Sequence, residues 1–456
     1  MKIVIIGSGK VGYALAEQLS KESHDIIIID NDAEALKRAQ NMLDVMTLIG
    51  NGTDPLIQKT AGVELVDLLI AVTPTDEVNL LCCILAKKLG CKNTIARVRN
   101  PENERMTRLI RDDLHLSMSI NPERAAAREM FRVLQTPSFI NRDTFARGRV
   151  ELLELKVTEK SNFCNQSLSR VAQSLNTKLL VCAVDRGGET TIPRGSFTLQ
   201  DGDKITIAIA AQSIPAMLKN AGIVHPKVHD VMIVGGSRTA VFLAQMLLQA
   251  HVSVKIIEKD RERCVALSSE LPSALIINDD GSEQSVLQEE GLSRMDALIS
   301  LTGIDEQNLI ISMYADYVGV RKTITKLNRS EFAVILMGRN TDTLISPKMV
   351  TANEILRYVR AMACSGSGVM LSLHRIAGGK AEACEFTVTR GTKHLNAPLK
   401  TLRIRKDALV ASIARAGQVI IPDGNDCLKL DDTVVIVVET GTPLINLNDI
   451  FVEEPF

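Results

Sequence analysis

Apolar positions in this chain fall into short unbroken aliphatic runs, separated by stretches where they recur every three or four residues. The runs at Ile3–Ile6, Ile26–Ile29, Val45–Leu48, Leu68–Val72 and Thr94–Val98 do not alternate with polar residues. Such runs predict parallel strands covered on both faces. Helical patterns fill the gaps, Asp76 to Leu89 being the clearest. Strands alternating with helices imply right-handed crossovers and a doubly wound sheet. The pattern returns at Val231–Val234, Val252–Ile257, Ala274–Ile277, Ala297–Leu301 and Thr323–Leu327.

After each such block the pattern changes. Val150–Val157 mixes apolar and charged positions, as a partly exposed strand does. Leu179–Val184, a turn at Asp185-Arg186-Gly187-Gly188, Ile192-Pro193-Arg194-Gly195, Asp201-Gly202-Asp203 and Ile205–Ala210 follow. A second copy reads Leu409–Ile413, Arg415-Ala416-Gly417, Ile421-Pro422-Asp423-Gly424, Leu430-Asp431-Asp432 and Val434–Val438. These are small α+β modules, and Ser365-Gly366-Ser367-Gly368 looks like a flexible joint. The expected organisation is α/β: two tandem Rossmann-like doubly wound parallel-sheet domains, each followed by a small α+β domain. The boundaries read 1–138, 139–222, 229–362 and 363–456.

The duplication is visible in the letters. Ile3-Val4-Ile5-Ile6-Gly7-Ser8-Gly9-Lys10-Val11-Gly12 returns as Val231-Met232-Ile233-Val234-Gly235-Gly236-Ser237-Arg238-Thr239-Ala240. Thr73 with Asp76-Glu77-x-Asn79-Leu80 returns as Thr302 with Asp305-Glu306-x-Asn308-Leu309. Two pseudo-equivalent nucleotide sites are therefore expected.

Composition narrows the classes. A chain of 456 residues with 45% hydrophobic content can bury several cores, and a formal net charge of -1 carries no footprint for nucleic acid. With no Trp and 3% aromatic residues, stacking platforms for bases are scarce. Nine cysteines without a C-x-x-C pair suggest a reducing compartment rather than a disulfide frame or zinc site. The chain runs straight into a strand, so no signal peptide is expected, and runs such as Val434–Val438 are too short to span a bilayer.

Gly7-x-Gly9-x-x-Gly12 follows a strand and opens a helix. The first glycine permits the turn, the second lets backbone approach a pyrophosphate, and the third lets helix and strand pack closely. Ser8, Lys10 and Val11 complete that loop. Asp30 ends the second strand, where an acid can accept the ribose hydroxyls and repel a 2′-phosphate, favouring NAD(H). Gly52-Thr53-Asp54 follows the third strand; Asp54 is equally an adenosine contact or a plain helix cap. Thr73, Asp76, Glu77 and Asn79 follow the fourth strand, with Asp76 as helix cap the competing reading. Arg97 ends the fifth strand, suited to phosphate or to a surface ion pair. In the second copy Gly235, Gly236, Ser237, Arg238, Glu258, Thr302 and Asp305 occupy the matching places more weakly. Ser237 replaces the glycine nearest the phosphates, Ala240 replaces the packing glycine and Lys326 stands where Arg97 stands. Weak dinucleotide binding follows, with ATP or ADP an alternative occupant. His225 and His229 lie in the linker between halves and do not suggest a metal site. No metal-ligand cluster or catalytic constellation is apparent.

On these residues, together with Asn121-Pro122-Glu123 and the Ile192-Pro193-x-Gly195 and Gly202-Asp203 pieces of the small module, the chain resembles the RCK (KTN) domain proteins that regulate potassium transporters and channels. Two copies in one chain is similar to the regulatory subunits of Trk-type uptake systems. The resemblance implies a cytoplasmic, non-enzymatic subunit on the inner face of the membrane. It implies a homo-oligomeric ring beneath an integral-membrane potassium-translocating subunit of the TrkH/TrkG type. Such a subunit binds NAD(H) or adenine nucleotides and gates transport through ring shape. The competing readings are an NAD-dependent oxidoreductase, which would need a substrate domain with a catalytic base, and a redox-sensing transcription factor, for which neither a helix-turn-helix nor a basic face is evident.

Overall fold

The computed structural model describes residues 1–22, 24–109, 116–135, 141–159, 161–175, 177–221, 227–329, 342–363, 370–377, 380–439, 444 and 446–452. The expected boundaries at 138–139 and 222, His225 and the Ser365–Gly368 joint lie outside them.

In chain order the first segment is β1 (Lys2–Ile6), α1 (Lys10–Lys21), β2 (Asp25–Asp30), α2 (Ala33–Met42), β3 (Met46–Ile49), α3 (Pro55–Thr60), β4 (Leu68–Ala71), α4 (Asp76–Leu89), β5 (Asn93–Arg97), α5 (Pro101–Leu109), β6 (Met118–Ile120) and α6 (Pro122–Gln135). The first small module contributes β7 (Asn141–Phe145), β8 (Val150–Lys156), α7 (Leu168–Ser174), β9 (Leu179–Arg186), β10 (Glu189–Thr191), β11 (Lys204–Ala210) and α8 (Ile214–Asn220). The repeat follows as β12 (Asp230–Val234), α9 (Arg238–Gln249), β13 (Ser253–Glu258), α10 (Arg261–Glu270), β14 (Leu275–Asn278), α11 (Gln284–Glu289), β15 (Ala297–Ser300), α12 (Asp305–Tyr317), β16 (Lys322–Lys326), β17 (Asp342–Ile345) and α13 (Pro347–Ala363). The second module holds β18 (Met370–Ile376), β19 (Ala381–Thr387), β20 (Ala408–Arg415), β21 (Gln418–Ile420) and β22 (Thr433–Glu439).

The chain divides into two compact units, each made of two separated segments. Unit one is Met1–Ser138 with Lys227–Leu356, and unit two is Phe139–Pro226 with Arg357–Phe456.

Unit one holds two six-stranded parallel sheets, ordered β3-β2-β1-β4-β5-β6 and β14-β13-β12-β15-β16-β17. In each, the strand order reverses beside the first strand, because β1 pairs β2 on one side and β4 on the other, and β12 pairs β13 and β15. Ligands of open α/β sheets bind at that switch point, outside the carboxyl ends of the strands. The aliphatic runs predict the first five strands of each sheet. The sixth strands, β6 and β17, were not foreseen: Met118-Ser119-Ile120 and Asp342-Thr343-Leu344-Ile345 are short and partly polar.

Helix α6 leaves the first lobe and packs on the second. Its Ala126, Ala127, Met130 and Leu134 share one buried core with Val231, Ala240, Leu243 and Leu247. Lys322 at the start of β16 donates from Nζ to the carbonyls of Val133 and Leu134, both at 3.0 Å, satisfying carbonyls that the last turn of a helix leaves free. Arg124 lies 4.6 Å over the Phe242 ring, and Arg128 pairs with Glu354 at 3.1 Å.

Unit two consists of two five-stranded sheets, β10-β9-β11-β8-β7 and β18-β19-β22-β20-β21. One core joins them: Phe145, Leu152, Ala183 and Ala208 from one sheet meet Ala381, Ala383, Ala411, Val435 and Val437 from the other. Alanines on both inner faces let the sheets approach closely. The predicted Asp185–Gly188 turn is shorter than expected because β9 runs on to Arg186. That guanidinium grips Asp203 through two 2.7 Å bonds, and Arg415 grips Asp432 at 2.9 and 2.8 Å in the second copy. The recurring Asp at these turns is thus a fold feature.

Candidate functional site

Parallel strands place all their following loops on one edge, and the candidate residues gather there. In the first lobe Gly7 turns the chain with φ +104, which disfavours any side chain, and an added Cβ would press on the Thr73 nitrogen at 3.0 Å. Gly12 is held more tightly, because a Cβ there would lie 1.8 Å from the Gly7 carbonyl oxygen. Gly9 is the N-cap of α1, and no side chain caps the helix. A Cβ on Gly9 would meet nothing within 4 Å, so the space beside the free N–H groups of Lys10, Val11 and Gly12 is open.

Asp30 accepts from Ser8 N through Oδ2 and from Asp32 N, at 2.9 Å, through Oδ1. The acid therefore fixes the shape of the glycine turn. Each carboxylate oxygen retains a second lone pair for a further donor such as a ribose hydroxyl.

Gly52, Thr53 and Asp54 form a turn held from within. Thr53 N and Oγ1 donate to Asn51 Oδ1 at 3.0 and 2.9 Å, and Asp54 accepts from Leu56 N at 2.8 Å as the N-cap of α3. Buried Gln58 donates to the Gly52 carbonyl at 2.7 Å and to that of Cys82 at 3.1 Å. Asn51 and Gln58 were missed in the sequence, although a Gln beside Ile57 and Ala61 is a signal.

Asn79 staples the ends of β4 and β5 together. Its Oδ1 accepts from Thr73 N at 2.7 Å and Oγ1 at 2.8 Å, while Nδ2 donates to the carbonyls of Thr73 at 3.1 Å and Arg97 at 3.0 Å. Asp76 does not cap α4. The N-cap is Thr75, and the buried Asp76 carboxylate accepts from Arg99 N at 2.9 Å and Asn100 N at 2.7 Å, tying down the loop after β5. Asn103 Nδ2 donates to Glu77 at 2.9 Å. Asn308 and Asp305 repeat these roles, Asp305 accepting from Asn328 N at 2.9 Å and Arg329 N at 2.8 Å.

Arg97 is not part of a surface ion pair among the described residues. It donates to the Thr73 carbonyl, and its buried Nε has no partner. Burial lowers its pKa from the ordinary guanidinium value, helped by Arg99 and opposed by Glu123 and Asp76. The buried Ser8 hydroxyl is likewise without a partner. Unsatisfied buried polar atoms are costly, and here one precedes an uncapped helix N-terminus and the other belongs to a half-buried guanidinium. That set can receive an anion, and Asp30 lies on the other side of the same turn. Arg99, which donates to Glu123 Oε1 on α6 at 2.7 Å, is a further residue missed in the sequence. Among the described residues no cluster of three or more His, Cys, Asp or Glu side chains could hold a metal ion, and no helix is long and apolar enough to cross a membrane.

The second lobe keeps the scaffold and changes the contents. Gly235 turns with φ +101, and Glu258 accepts from Gly236 N at 2.6 Å as Asp30 does from Ser8. Ser237 is the N-cap of α9 with φ -67, against -69 for Gly9. The backbone at this position is therefore the same in both lobes, and both values suit any residue. What differs is the side chain: its hydroxyl accepts from Ala240 N at 3.4 Å. Arg238 is the first residue of α9. Thr302 N donates to Asn308 Oδ1 at 2.8 Å. Arg263 Nε donates to the Gly236 carbonyl at 2.7 Å. In the first copy the matching residue is Ala35, a contrast visible when the two copies are compared.

The TrkA-N domain family matches residues 3–116 and 231–347, and the TrkA-C domain family matches 152–222. A Trk system potassium uptake protein TrkA homolog of Archaeoglobus fulgidus is 34% identical over 437 residues, spanning 96% of this chain and 97% of that protein. The Trk system potassium uptake protein TrkA of Halomonas elongata is 30% identical over 448 residues, spanning 96% of each. Among solved structures, the GsuK channel bound to NAD has a TM-score of 0.63 at 16% identity, covering 96% of this chain and 77% of that one. The crystal structure of the GsuK RCK domain has a TM-score of 0.62 at 16% identity, covering 96% and 92%. At that identity the likeness is one of fold. With a duplicated TrkA-N lobe, a TrkA-C module and relatives matched along nearly their whole length, the chain belongs to the TrkA family of Trk-system potassium uptake proteins.

Proposed function

We propose that this chain is a nucleotide-binding regulatory subunit of a Trk-type potassium uptake system and that it performs no turnover of its own. The supporting observation is the first lobe's carboxyl edge, where Ser8 Oγ and Arg97 Nε are buried without partners beside an uncapped α1. In this reading Gly7, Ser8, Gly9, Lys10, Val11 and Gly12 line the pyrophosphate and Asp30 takes the ribose. Gly52, Thr53 and Asp54 border the adenosine. Thr73, Asp76, Glu77, Asn79 and Arg97 shape the phosphate edge. NAD(H) is the favoured ligand because Asp30 repels a 2′-phosphate, and a structural neighbour was solved bound to NAD. The segments 1–138, 139–222, 229–362 and 363–456 serve as four domains of two repeats.

The named relatives are potassium uptake proteins, and this chain has no helix for crossing a membrane among its described residues. It would act on a separate integral-membrane potassium-translocating subunit, of TrkH/TrkG type, from the cytoplasmic face, as a homo-oligomeric ring. A route for gating runs outward from the phosphate edge. Asp76 holds the backbone of Arg99, Arg99 grips Glu123, and Glu123 stands in the first turn of α6, which is packed into the second lobe. A phosphate bound at Arg97 pulls on that chain of contacts. The oxidoreductase reading is disfavoured because Asp30, Asp54 and Asp76 at this edge are engaged with backbone N–H groups, and the curated relatives are potassium uptake proteins.

The test is potassium-limited growth of cells lacking the gene. Restored growth with the wild-type chain, and poorer growth with Asp30→Ala at equal protein level, supports the reading. Normal growth without the chain overturns it.

A further inference from the structure

The two lobes provide an internal control, since one scaffold carries two different sets of side chains at the same edge. Resting on the nucleotide reading above, we infer that nucleotide sensing belongs to the first lobe alone, and that the second lobe closes its phosphate seat with its own side chains. Three comparisons carry this.

The first is the helix N-terminus. Gly9 leaves the α1 N–H groups uncapped with open space beside them. Ser237 fills that space in the second lobe and turns its hydroxyl onto Ala240 N at 3.4 Å. One of the donors that a phosphate needs is thereby engaged, and the hydroxyl stands in the anion's path.

The second is the fit of helix on turn. A Cβ at Gly12 would lie 1.8 Å from the Gly7 oxygen, so α1 is pressed against its turn. Ala240 carries that Cβ, fully buried, so α9 cannot be seated as closely on Gly235.

The third is polar satisfaction. Beside the glycine turn and at the end of β5, the first lobe leaves Ser8 Oγ and Arg97 Nε buried without partners. At the matching positions the second lobe has Gly236, with no hydroxyl, and Lys326, whose Nζ donates to the Leu301 carbonyl at 3.3 Å. Arg263 adds a 2.7 Å bond to the Gly236 carbonyl, a contact that Ala35 cannot make in the first lobe. An anion would give partners to two groups that lack them in the first lobe and to neither matching group in the second, so a phosphate is favoured more in the first.

The second lobe then acts as a fixed body against which α6 reports the state of the first. The test is calorimetric titration of the full chain with NADH, ATP and ADP separately, then with ATP after saturation by NADH. The expected result is one nucleotide per chain in every titration, with NADH excluding ATP. Gly9→Ser should weaken that site at least about 10-fold, corresponding to roughly 1.4 kcal/mol, while its thermal melt stays at the wild-type position because the new Cβ enters open space. Asp30→Asn should weaken the same site. Two nucleotides per chain, NADH and ATP bound together, or a single site untouched by Gly9→Ser and Asp30→Asn would overturn the inference and leave the proposed function standing. Binding of none of the three would instead defeat the proposed function.

Discussion

A Cβ placed on Gly12 would lie 1.8 Å from the carbonyl oxygen of Gly7, so these two residues are locked as a pair. Gly12→Ala must push the helix from its turn. We expect a loss of stability of about 1–3 kcal/mol, as for other overpacked sites, and loss of nucleotide binding with it. Chemical denaturation and a nucleotide titration of the same variant check both. The reverse change, Ala240→Gly, removes one buried methyl group and should leave binding stoichiometry as it is.

Asp30 shapes the turn through Ser8 N and Asp32 N, and in the proposed reading it also presents a carboxylate to the ribose. Replacing it by Ala removes a charge-assisted contact of about 1.5–3 kcal/mol, so NADH affinity should fall roughly 10- to 100-fold. Wild-type affinity for NADPH should be well below that for NADH. Fluorescence titration with the two cofactors measures this, and equal affinities would count against the ribose assignment.

Arg99 links the phosphate edge to the crossover helix through Glu123. Arg99→Ala keeps its backbone bond to Asp76 and leaves the cradle in place. Nucleotide affinity should change less than about 3-fold, while the effect of nucleotide on potassium flux should shrink. A variant that binds and responds like the wild type would remove Arg99 from the route.

Lys322 gives the lobe junction a pH dependence. Burial pushes its ammonium down to about 8 from 10.5. Between those values the unfolded chain holds the proton and the folded chain releases it, so stability rises with pH across this window. Below about 8 both states are charged and the burial cost is fully present. The melting temperature of the wild type relative to Lys322→Met should therefore climb from pH 8 towards pH 10 and stay level below pH 7. A difference independent of pH would contradict this assignment. The neutral amine still donates to the Val133 and Leu134 carbonyls, so the junction is not lost on deprotonation.

Much of this architecture is legible in the sequence because parallel strands bury both faces. Ile3–Ile6 and Val231–Val234 admit no polar position, and Asp76–Leu89 matches α4 to the residue. The sixth strands escaped notice because Met118–Ile120 is three residues long and Asp342–Ile345 is half polar, so neither is an unbroken apolar run. The glycine turn and the acid that holds it are short-range features, so Gly7 to Gly12 and Asp30 stand out in the sequence directly. The tasks of Asp76 and Asp305 could not, since their partners at Arg99 and Asn328 lie 23 residues away and are backbone groups without a side-chain signature. Ser237 is visible in the sequence as a substitution, but the partner of its hydroxyl is not. The backbone keeps an ordinary φ, and the hydroxyl, not the torsion, makes the difference.

The most direct test of the regulatory reading is potassium flux into proteoliposomes holding the membrane subunit alone, with this chain, and with this chain plus NADH or ATP. The account predicts that the chain alters flux, that nucleotide changes the altered rate, that Asp30→Ala blunts the NADH response, and that NADH absorbance stays constant throughout. Flux indifferent to the chain and its nucleotides, or steady oxidation of NADH at ordinary enzyme rates, would contradict it.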